Sequence, residues 1–270
     1  PNTSTQTIVI SGNPDATFTY AQTSYCTNGT NPSPVYGAGA SAGAFSSTAG
    51  LMINASTGAI DLAASTAGMY TVTNAIAANG SCAASTETFD VTIAAAPAAA
   101  VSGGGTQCGP GSFPVNIALT GAGPWDITYT NGTTPTTVNG VTTSPYTFNA
   151  TANGTYTVSN VTMGACSAVG TGTASVVFNT NPTVTFTAVG NVCDNASPVT
   201  LTATPAGGVF SGSTGVSGTT FDPSGLTAGS ITLTYTYTDA NSCSGIATST
   251  FTLNEAPTAT LGTFTEVCMQ

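Results

Sequence analysis

Residues Ile231–Thr238 read Ile-Thr-Leu-Thr-Tyr-Thr-Tyr-Thr, so an apolar or aromatic side chain stands at every second position. Successive side chains of a β-strand point to opposite faces of the sheet, and the alternation therefore predicts a strand with one buried face. The same period of two recurs in Phe113–Leu119, Trp125–Tyr129 and Phe89–Ile93. Because no helical period is sustained, we expect an all-β protein.

Turn sequences separate the predicted strands at short intervals. Asn-Gly steps begin at Asn79, Asn131, Asn139 and Asn153, and such steps favour tight hairpins. About seven strands fit into each stretch of roughly 75 to 95 residues, which is typical of an immunoglobulin-like β-sandwich. A β-solenoid is the alternative for a chain this rich in threonine and glycine, but its period would be about 20 residues rather than about 80.

Seven cysteines follow a spacing that repeats three times along the chain. The successive pairs are Cys26 with Cys82, Cys108 with Cys166, and Cys193 with Cys243. In each pair the first cysteine follows an opening strand and the second lies in a hairpin before the last strand. We therefore predict one disulfide within each domain, tying loops at one end of the sandwich. Cys268 starts a fourth pair and is expected to be unpaired in this stretch of sequence.

Prolines mark the boundaries between the repeating units. Pro97, Pro182 and Pro257 each stand four positions after an apolar strand end. Proline fixes its own φ and favours extended geometry in the preceding residue, so we expect short, semi-rigid junctions and a stiff rod. The predicted units are immunoglobulin-like repeats at 1–96, 97–181 and 182–256, and the start of a truncated fourth repeat at 257–270.

The charge balance excludes several classes of function. The 270 residues contain no lysine, arginine or histidine, and ten acidic residues give a formal charge of −10. Nucleic-acid binding and polybasic membrane docking both need cationic side chains. Imidazole or amine catalysis and histidine-ligated zinc are excluded as well. The acids form no paired motif for glycoside hydrolysis, and we predict that the protein is not an enzyme and needs no cofactor.

Two further features bear on location. No apolar run approaches the roughly 18 residues of a membrane-spanning helix, so membrane insertion is not expected. Cysteines in an even, paired pattern favour an oxidising compartment, and we predict an extracellular or cell-surface location.

Three segments of the chain show a resemblance to a known family. They are Gly43–Asp61 with Gly68–Val72, Gly154–Val158, and Gly208–Gly212 with Phe221–Pro223 and Ile231–Asp239. In these strand and turn patterns the chain resembles the large tandem-repeat surface adhesins of Bacteroidota, including gliding-motility adhesins exported by type IX secretion. The resemblance implies secretion to the cell surface, an elongated multidomain architecture and a role in adhesion or filament building. It transfers no catalytic residue.

Several residues are candidate ligands, and each also has an ordinary structural role. Asp194, Asp239 and Glu255 are weak calcium candidates, because carboxylate and amide oxygens are the only hard donors present, but isolated acids more often form turns. Trp125 beside Asp126 could stack against a sugar ring, although core packing is the commoner role of such a tryptophan.

A regular row of threonines offers a further possibility. The four threonines alternate along one strand: Thr232, Thr234, Thr236 and Thr238. Such a row could match an ice lattice, or it could be the solvent face of a sandwich strand.

Two hypotheses follow for function. The first is a structural segment of an elongated extracellular adhesin or filament, acting as a disulfide-stapled spacer whose partners are neighbouring repeats and copies of itself. The second is a glycan- or protein-binding module with recognition in the loops of one domain. A binding module should have a concave, aromatic-lined site in one domain, and the middle unit is where we expect it.

Overall fold

The computed structural model describes residues 12–260 together with Ser4 and Gly262. All regular secondary structure in this part of the chain is β-strand, which confirms the predicted all-β class. The strands fall into three consecutive stretches, named here the first segment (residues 18–94), the middle segment (98–179) and the third segment (185–254). Each described sheet is built from strands of one segment only.

The strands are short in the first and third segments, except for one long hairpin in each. The first segment contains β1 (Phe18–Thr19), β2 (Ser24–Cys26), β3 (Val35–Tyr36), β4 (Ala44–Ser47), β5 (Met52–Ile53), β6 (Ile60–Asp61), β7 (Gly68–Ile76) and β8 (Ser85–Ala94). The middle segment contains β9 (Ala98–Cys108), β10 (Phe113–Thr120), β11 (Trp125–Thr130), β12 (Pro135–Val141), β13 (Tyr146–Ala150), β14 (Gly154–Met163), β15 (Cys166–Ala168), β16 (Thr171–Gly172) and β17 (Ala174–Asn179). The third segment contains β18 (Thr185–Phe186), β19 (Val192–Cys193), β20 (Val199–Thr200), β21 (Ala203–Thr204), β22 (Val209–Ser211), β23 (Val216–Ser217), β24 (Thr220–Phe221), β25 (Gly229–Thr238) and β26 (Ser244–Asn254).

The first and third segments share one sheet order. The main sheet runs β2-β8-β7-β4 in the first segment and β19-β26-β25-β22 in the third. Each is centred on an antiparallel hairpin, β7 with β8 or β25 with β26. In both segments a short strand pairs in parallel with the last strand of the hairpin, β2 on β8 and β19 on β26.

The middle segment instead follows a single path of hydrogen-bonded strands. Its order is β12-β11-β14-β17-β9-β10-β13, with β15 added to β14 and β16 added to β9. The long strand β9 pairs with β10 along residues 98–103 and also has β17 as a neighbour. The continuous strand β9 therefore connects the strands on the β17 side of the sheet with those on the β10 side.

The apolar residues that alternate along the strands in the sequence are the ones that form the cores. Leu233 and Tyr235 of β25 are 0% and 2% exposed, whereas Thr232 between the strand's apolar residues is exposed. In β10 the buried residues are Val115, Ile117 and Leu119, again at every second position. Burying the apolar face of each strand supplies the main stabilisation of such sheets. The predicted one-sided burial is confirmed in these strands.

Aromatic rings fill the cores of the first and third segments. In the first, Phe18 packs edge-to-face against Phe45 with ring centroids 5.4 Å apart. In the third, Phe221 packs in the same way against Phe251 at 5.3 Å. Such pairs contribute about 0.5–1.5 kcal/mol beyond the burial of their area.

Compact clustering divides the chain differently from the sheets. One unit comprises residues 1–105 and 112–176, and the other comprises residues 106–111 and 177–270. The short stretch 106–111, which contains Cys108, therefore belongs with the third segment's unit. The division into repeats at 1–96, 97–181 and 182–256 stays a prediction, and most of the predicted fourth repeat at 257–270 lies outside the described residues.

Candidate functional site

Two disulfides join cysteines of consecutive segments. Cys26 is bonded to Cys166 and Cys108 is bonded to Cys243, with Cα atoms 5.6 and 5.5 Å apart. Both bonds lie inside a compact unit of the chain. The prediction of one disulfide within each domain, with the pairs Cys26–Cys82, Cys108–Cys166 and Cys193–Cys243, is therefore wrong.

Strand direction explains why cysteines within one segment do not pair. Cys193 lies opposite Asn254, at the end of β26, whereas Cys243 directly precedes the start of β26. At about 3.3 Å per residue, this strand separates the two cysteines by roughly 35 Å. A disulfide needs Cα atoms within about 7 Å of each other. The first segment repeats this geometry, because Cys26 lies opposite Ala94 at the end of β8.

The first cysteine of each pair occupies one recurrent position, named here the opening position. It comprises Cys26, Cys108 and Cys193, each of which ends a strand. The N–H of the following residue donates to the carbonyl of the last residue of the segment's final strand. The three hydrogen bonds run from Thr27 to Ala94 (2.9 Å), from Gly109 to Asn179 (2.8 Å) and from Asp194 to Asn254 (2.9 Å).

The second cysteine of each pair occupies a hairpin position. Cys166 pairs with Met163 across a tight turn, and Cys82 forms a bridge with Asn79 across another. Cys243 closes the β25–β26 hairpin, where its N–H donates to the Asp239 carboxylate at 2.9 Å. The two hairpin cysteines in the disulfides, Cys166 and Cys243, are 2% and 0% exposed. These bonds are therefore anchored in well-packed turns.

The three remaining cysteines stand apart from these two bonds. Cys82 takes part in neither of them. Cys193 is a half-buried free thiol. Cys268, predicted to be unpaired, lies outside the described residues. No group of three or more cysteine, aspartate or glutamate side chains that could hold a metal ion occurs among the residues described.

The structure places Trp125 in the core, the commoner of the two roles considered for it, and contradicts the alternative of a sugar-stacking residue. Its side chain is 6% exposed and its indole N–H donates to the Thr120 carbonyl at 3.3 Å. The neighbouring Asp126 accepts a hydrogen bond from the N–H of Gly140 at 2.7 Å. A ring that is buried on its faces cannot stack against a sugar, so this pair does not form a binding site.

Two of the three calcium candidates accept hydrogen bonds from backbone N–H groups, and the third is exposed. Asp239 accepts hydrogen bonds from the N–H groups of Asn241 and Cys243, both at 2.9 Å, and so shapes the hairpin turn. Asp194 accepts from the N–H of Ala256 at 3.0 Å. Glu255 is exposed. The Asp239 contacts are those of a turn-forming acid that satisfies nearby backbone amides, whereas Asp194 joins its loop to the chain beyond β26.

The row of threonines on β25 is engaged across the sheet at both ends. The Thr232 hydroxyl lies 3.0 Å from the hydroxyl of Thr250, and the Thr238 hydroxyl lies 2.8 Å from that of Ser244. These are the contacts of an ordinary cross-strand ladder.

The middle segment contains a concave site whose lining residues the sequence analysis did not identify. It is a cavity of about 200 Å³ lined by Tyr129, Asn131, Thr134, Thr136, Phe148, Asn149, Ala150, Thr151 and Tyr156. Tyr129 stacks on Phe148 with ring centroids 4.3 Å apart. Burial, followed by the nearby Tyr146, raises the pKa of the Tyr129 hydroxyl. The aromatic residues come from three strands, β11, β13 and β14, and only the alternation within each strand hinted that they face inward.

Among the described residues, the structure holds no helix with the length and apolar character needed to cross a membrane.

No protein-family model and no curated protein matches the chain. Among solved structures, an I-band fragment of titin is 11% identical, with a TM-score of 0.40 over 77% of this chain and 82% of that chain. A structure from a 1.5-MDa bacterial ice-binding adhesin is 14% identical, with a TM-score of 0.36 over 90% of this chain and 99% of that chain. A Ca²⁺-stabilised adhesin from an Antarctic bacterium is 16% identical, with a TM-score of 0.36 over 91% and 75%. TM-scores below 0.5 establish no family.

Proposed function

We propose that this chain is a structural repeat segment of an elongated extracellular adhesin or filament and acts as a stiff spacer. The observation that carries the proposal is the pair of disulfides between consecutive segments. A bond of this kind restrains one repeat against the next, which a spacer under tension requires. Stable disulfides persist in oxidising compartments, and this supports a location outside the cell.

The proposal includes the finer expectations from the sequence. It divides the chain into immunoglobulin-like repeats at 1–96, 97–181 and 182–256, a division supported by sheets that each draw on one segment. It places the parent protein with the gliding-motility adhesins of Bacteroidota and their type IX secretion, on the strand and turn motifs quoted above. Its partners are neighbouring repeats and copies of itself, since a surface with few charges permits close packing.

The two disulfides have a mechanical consequence because they overlap along the chain. The Cys26–Cys166 bond encloses Cys108, and the Cys108–Cys243 bond encloses Cys166. Three covalent shortcuts therefore connect Cys26 with Cys243: one through residues 166–243, one through residues 26–108, and the shortest through both disulfides and residues 108–166. No route can extend beyond its own length, so the shortest route limits how far the two cysteines can be pulled apart.

Single-molecule stretching from the two ends tests the spacer role. At roughly 3.5 Å per residue, the oxidised chain should extend by at most about 210 Å between Cys26 and Cys243, against about 750 Å after reduction. Replacing Cys26 and Cys108 together by serine should give the long extension without reductant. Cys193→Ser is the matched control, because it removes a thiol and leaves both bonds.

A full-length extension of the oxidised wild-type chain would contradict the proposal. So would equal lengths before and after reduction, because both results mean that the bonds do not carry load between repeats.

The aromatic cavity of the middle segment favours a second candidate function, the binding of a neutral glycan. Three aromatic rings lie beside the uncharged hydrogen-bonding side chains of Asn131, Thr136 and Asn149. This is the combination by which apolar sugar faces and their hydroxyls are recognised. It also meets the expectation of a concave, aromatic-lined site in the middle unit.

Two neighbouring threonines of β12 give a matched test of glycan binding. Thr136 lines the cavity, whereas the Thr137 hydroxyl bonds that of Thr128, 3.0 Å away. Thr136→Trp should fill the cavity and abolish glycan-array binding, and Thr137→Trp should preserve it. Equal binding by both variants, or no binding by the wild type, would remove this candidate.

A further inference from the structure

We propose that Cys193 is a third cross-linking cysteine, which forms a disulfide with the hairpin cysteine of another repeat of this kind. It would continue the series in which Cys26 bonds Cys166 and Cys108 bonds Cys243. The inference deepens the proposed structural function and rests on it. The recurrence of one backbone position three times carries it, with a disulfide present at two of the three.

The backbone around Cys193 matches that around Cys26. Each cysteine ends a short strand that pairs in parallel with the last strand of its segment. The carbonyl of each then accepts a hydrogen bond from the N–H three residues later, Gly29 to Cys26 at 2.8 Å and Ala196 to Cys193 at 3.0 Å. Both cysteines are also half-buried. The two sulfur atoms are therefore carried by the same local structure.

The residue after each of these cysteines repeats a second hydrogen bond. Its side-chain oxygen accepts from the backbone N–H of the residue two positions beyond the end of the final strand. These bonds run from Ala96 to the Thr27 hydroxyl and from Ala256 to the Asp194 carboxylate, and both are 3.0 Å long. Different residue types thus preserve one geometry at the exit of the segment.

Cys108 shows that the opening position is bonded even when its local strand differs. It ends the continuous strand β9 rather than a short separate strand. It nevertheless retains the hydrogen bond from the following N–H, Gly109, to the last residue of the final strand, Asn179. Its partner is the hairpin cysteine of the next segment along the chain. The position, and not the strand type, accompanies the bond.

The partner of Cys193 lies outside its own segment. Its segment's hairpin cysteine, Cys243, is already bonded to Cys108 and stands at the opposite end of β26. The partner that remains for Cys193 is a hairpin cysteine from another repeat. That repeat can belong to a longer chain that contains this sequence or to a second copy of the protein, and the experiment separates these sources.

The bond forms by two successive thiol–disulfide exchanges with a disulfide oxidant of the compartment, either a small-molecule disulfide or that of an oxidoreductase. The Cys193 thiolate attacks a sulfur of the oxidant, which releases one thiolate of the oxidant. The partner thiolate then attacks the Cys193 sulfur and releases the second. Two cysteine thiols lose two electrons and two protons, and the oxidant disulfide becomes two thiols.

Disulfide mapping of the native protein and of the recombinant 270-residue chain tests the inference. Both are alkylated under denaturing conditions without reductant and digested with pepsin, because acid suppresses exchange and the chain has no lysine or arginine for trypsin. The recombinant chain is oxidised with glutathione disulfide. Non-reducing electrophoresis separates bonds between chains from bonds within one chain.

A peptide that joins Cys193 to a hairpin cysteine of another repeat is the expected result. Covalent oligomers of the recombinant chain that disappear in Cys193→Ser assign the partner to a second copy. Moving the thiol with Ser197→Cys in that background is the matched control, and it should not restore them. A bond found only in the native protein, within one polypeptide, assigns the partner to a following repeat.

Two results overturn the inference. One is Cys193 recovered as an alkylated thiol or a glutathione adduct in both materials, and the other is a bond to a cysteine that is not at a hairpin position. If Cys26–Cys166 and Cys108–Cys243 are intact in such a sample, the proposed structural function stands without the third link. If those two bonds are also missing, the proposed function fails as well.

Discussion

The three segments differ in their first stretch of strand, which ends in the opening-position cysteine. In each segment this stretch pairs first with one strand and then with another. In the first segment it is broken in two: β1 pairs with β3, and β2 pairs with β8. The third segment repeats this break between β18 and β19. In the middle segment β9 runs unbroken and changes partner at Gly103 and Gly104, which have φ values of 101° and 83°. The change of strand partner is thus made either by a gap between two short strands or by a pair of glycines. In both cases a cysteine follows at the opening position.

In the first and third segments, a hydrogen bond that involves a side chain holds the residues between the two short strands in place. In the first segment Tyr20, 4% exposed, donates its hydroxyl to the Gly58 carbonyl at 2.5 Å. In the third, the Val189 N–H donates to the buried Ser249 hydroxyl at 2.9 Å. The continuous strand instead depends on backbone conformation and on the absence of a side chain. The comparison therefore predicts different sensitivities to mutation in the two kinds of segment.

The largest expected effect on stability is at Gly104, where β9 changes its strand partner. A Cβ atom at Gly104 would stand 2.2 Å from the Ser175 carbonyl oxygen, at a φ of 83°. Gly104→Ala should lower the free energy of unfolding by about 3 kcal/mol or more, since it adds a backbone clash to left-handed strain. Urea unfolding with the disulfides intact measures it.

Gly132→Ala is the control for this prediction, because Gly132 also has a positive φ, 97°, but has open space around it. It should cost only the conformational term, about 1–2 kcal/mol. Equal costs at the two glycines would show that the close approach of β9 to Ser175 does not matter.

The next largest effect concerns the hydrogen bond between Val189 and Ser249 in the third segment. Ser249→Ala leaves the Val189 N–H without its acceptor and should cost about 1–2 kcal/mol in urea unfolding. Ser244→Ala, on the same strand, removes an exposed hydroxyl paired with Thr238 and should cost less than about 0.5 kcal/mol. Equal costs would mean that the gap does not depend on this hydrogen bond.

The smallest effect concerns the hydrogen bond between Tyr20 and Gly58 in the first segment and depends on pH. Burial, followed by nearby Tyr36 and Tyr25, raises the pKa of the Tyr20 hydroxyl above its ordinary value of 10.0. A raised pKa of the folded state means that the stability is complete below pH 10 and is lost as the pH rises further. We expect a loss of about 1 kcal/mol at pH 11.

Thermal unfolding at pH 9 and pH 11 measures this loss, and Tyr20→Phe is the control. The variant should lose the Gly58 hydrogen bond at both pH values but show a smaller difference between them. A wild-type difference that the variant fully retains would assign the alkaline loss to other groups.

Some of these features could be predicted from sequence and others could not, for physical reasons. Alternation in Val115–Leu119 and Leu233–Tyr235 identifies buried strand faces, because burial follows the strand period directly. The cysteine spacing identifies equivalent positions, but it carries no information about distance in space. The error in pairing arose because the parallel contact of β19 with β26 puts Cys193 and Cys243 at opposite ends of one strand.

The candidate binding residues show the same limit. Trp125 was ambiguous between core and surface because both fit an alternating strand, and the structure buries it. The cavity formed by Tyr129, Phe148 and Tyr156 depends on how three separate strands face each other. Such a convergence is set by tertiary packing, and no local pattern encodes it.

The overlapping bonds also decide how the molecule survives damage. A single peptide-bond cleavage anywhere between residues 26 and 243 falls inside at least one disulfide-closed loop. The two fragments then remain one covalent molecule. Within this range a protease must cut twice, at suitable places, before it releases a fragment, so the linked segments withstand isolated cleavages.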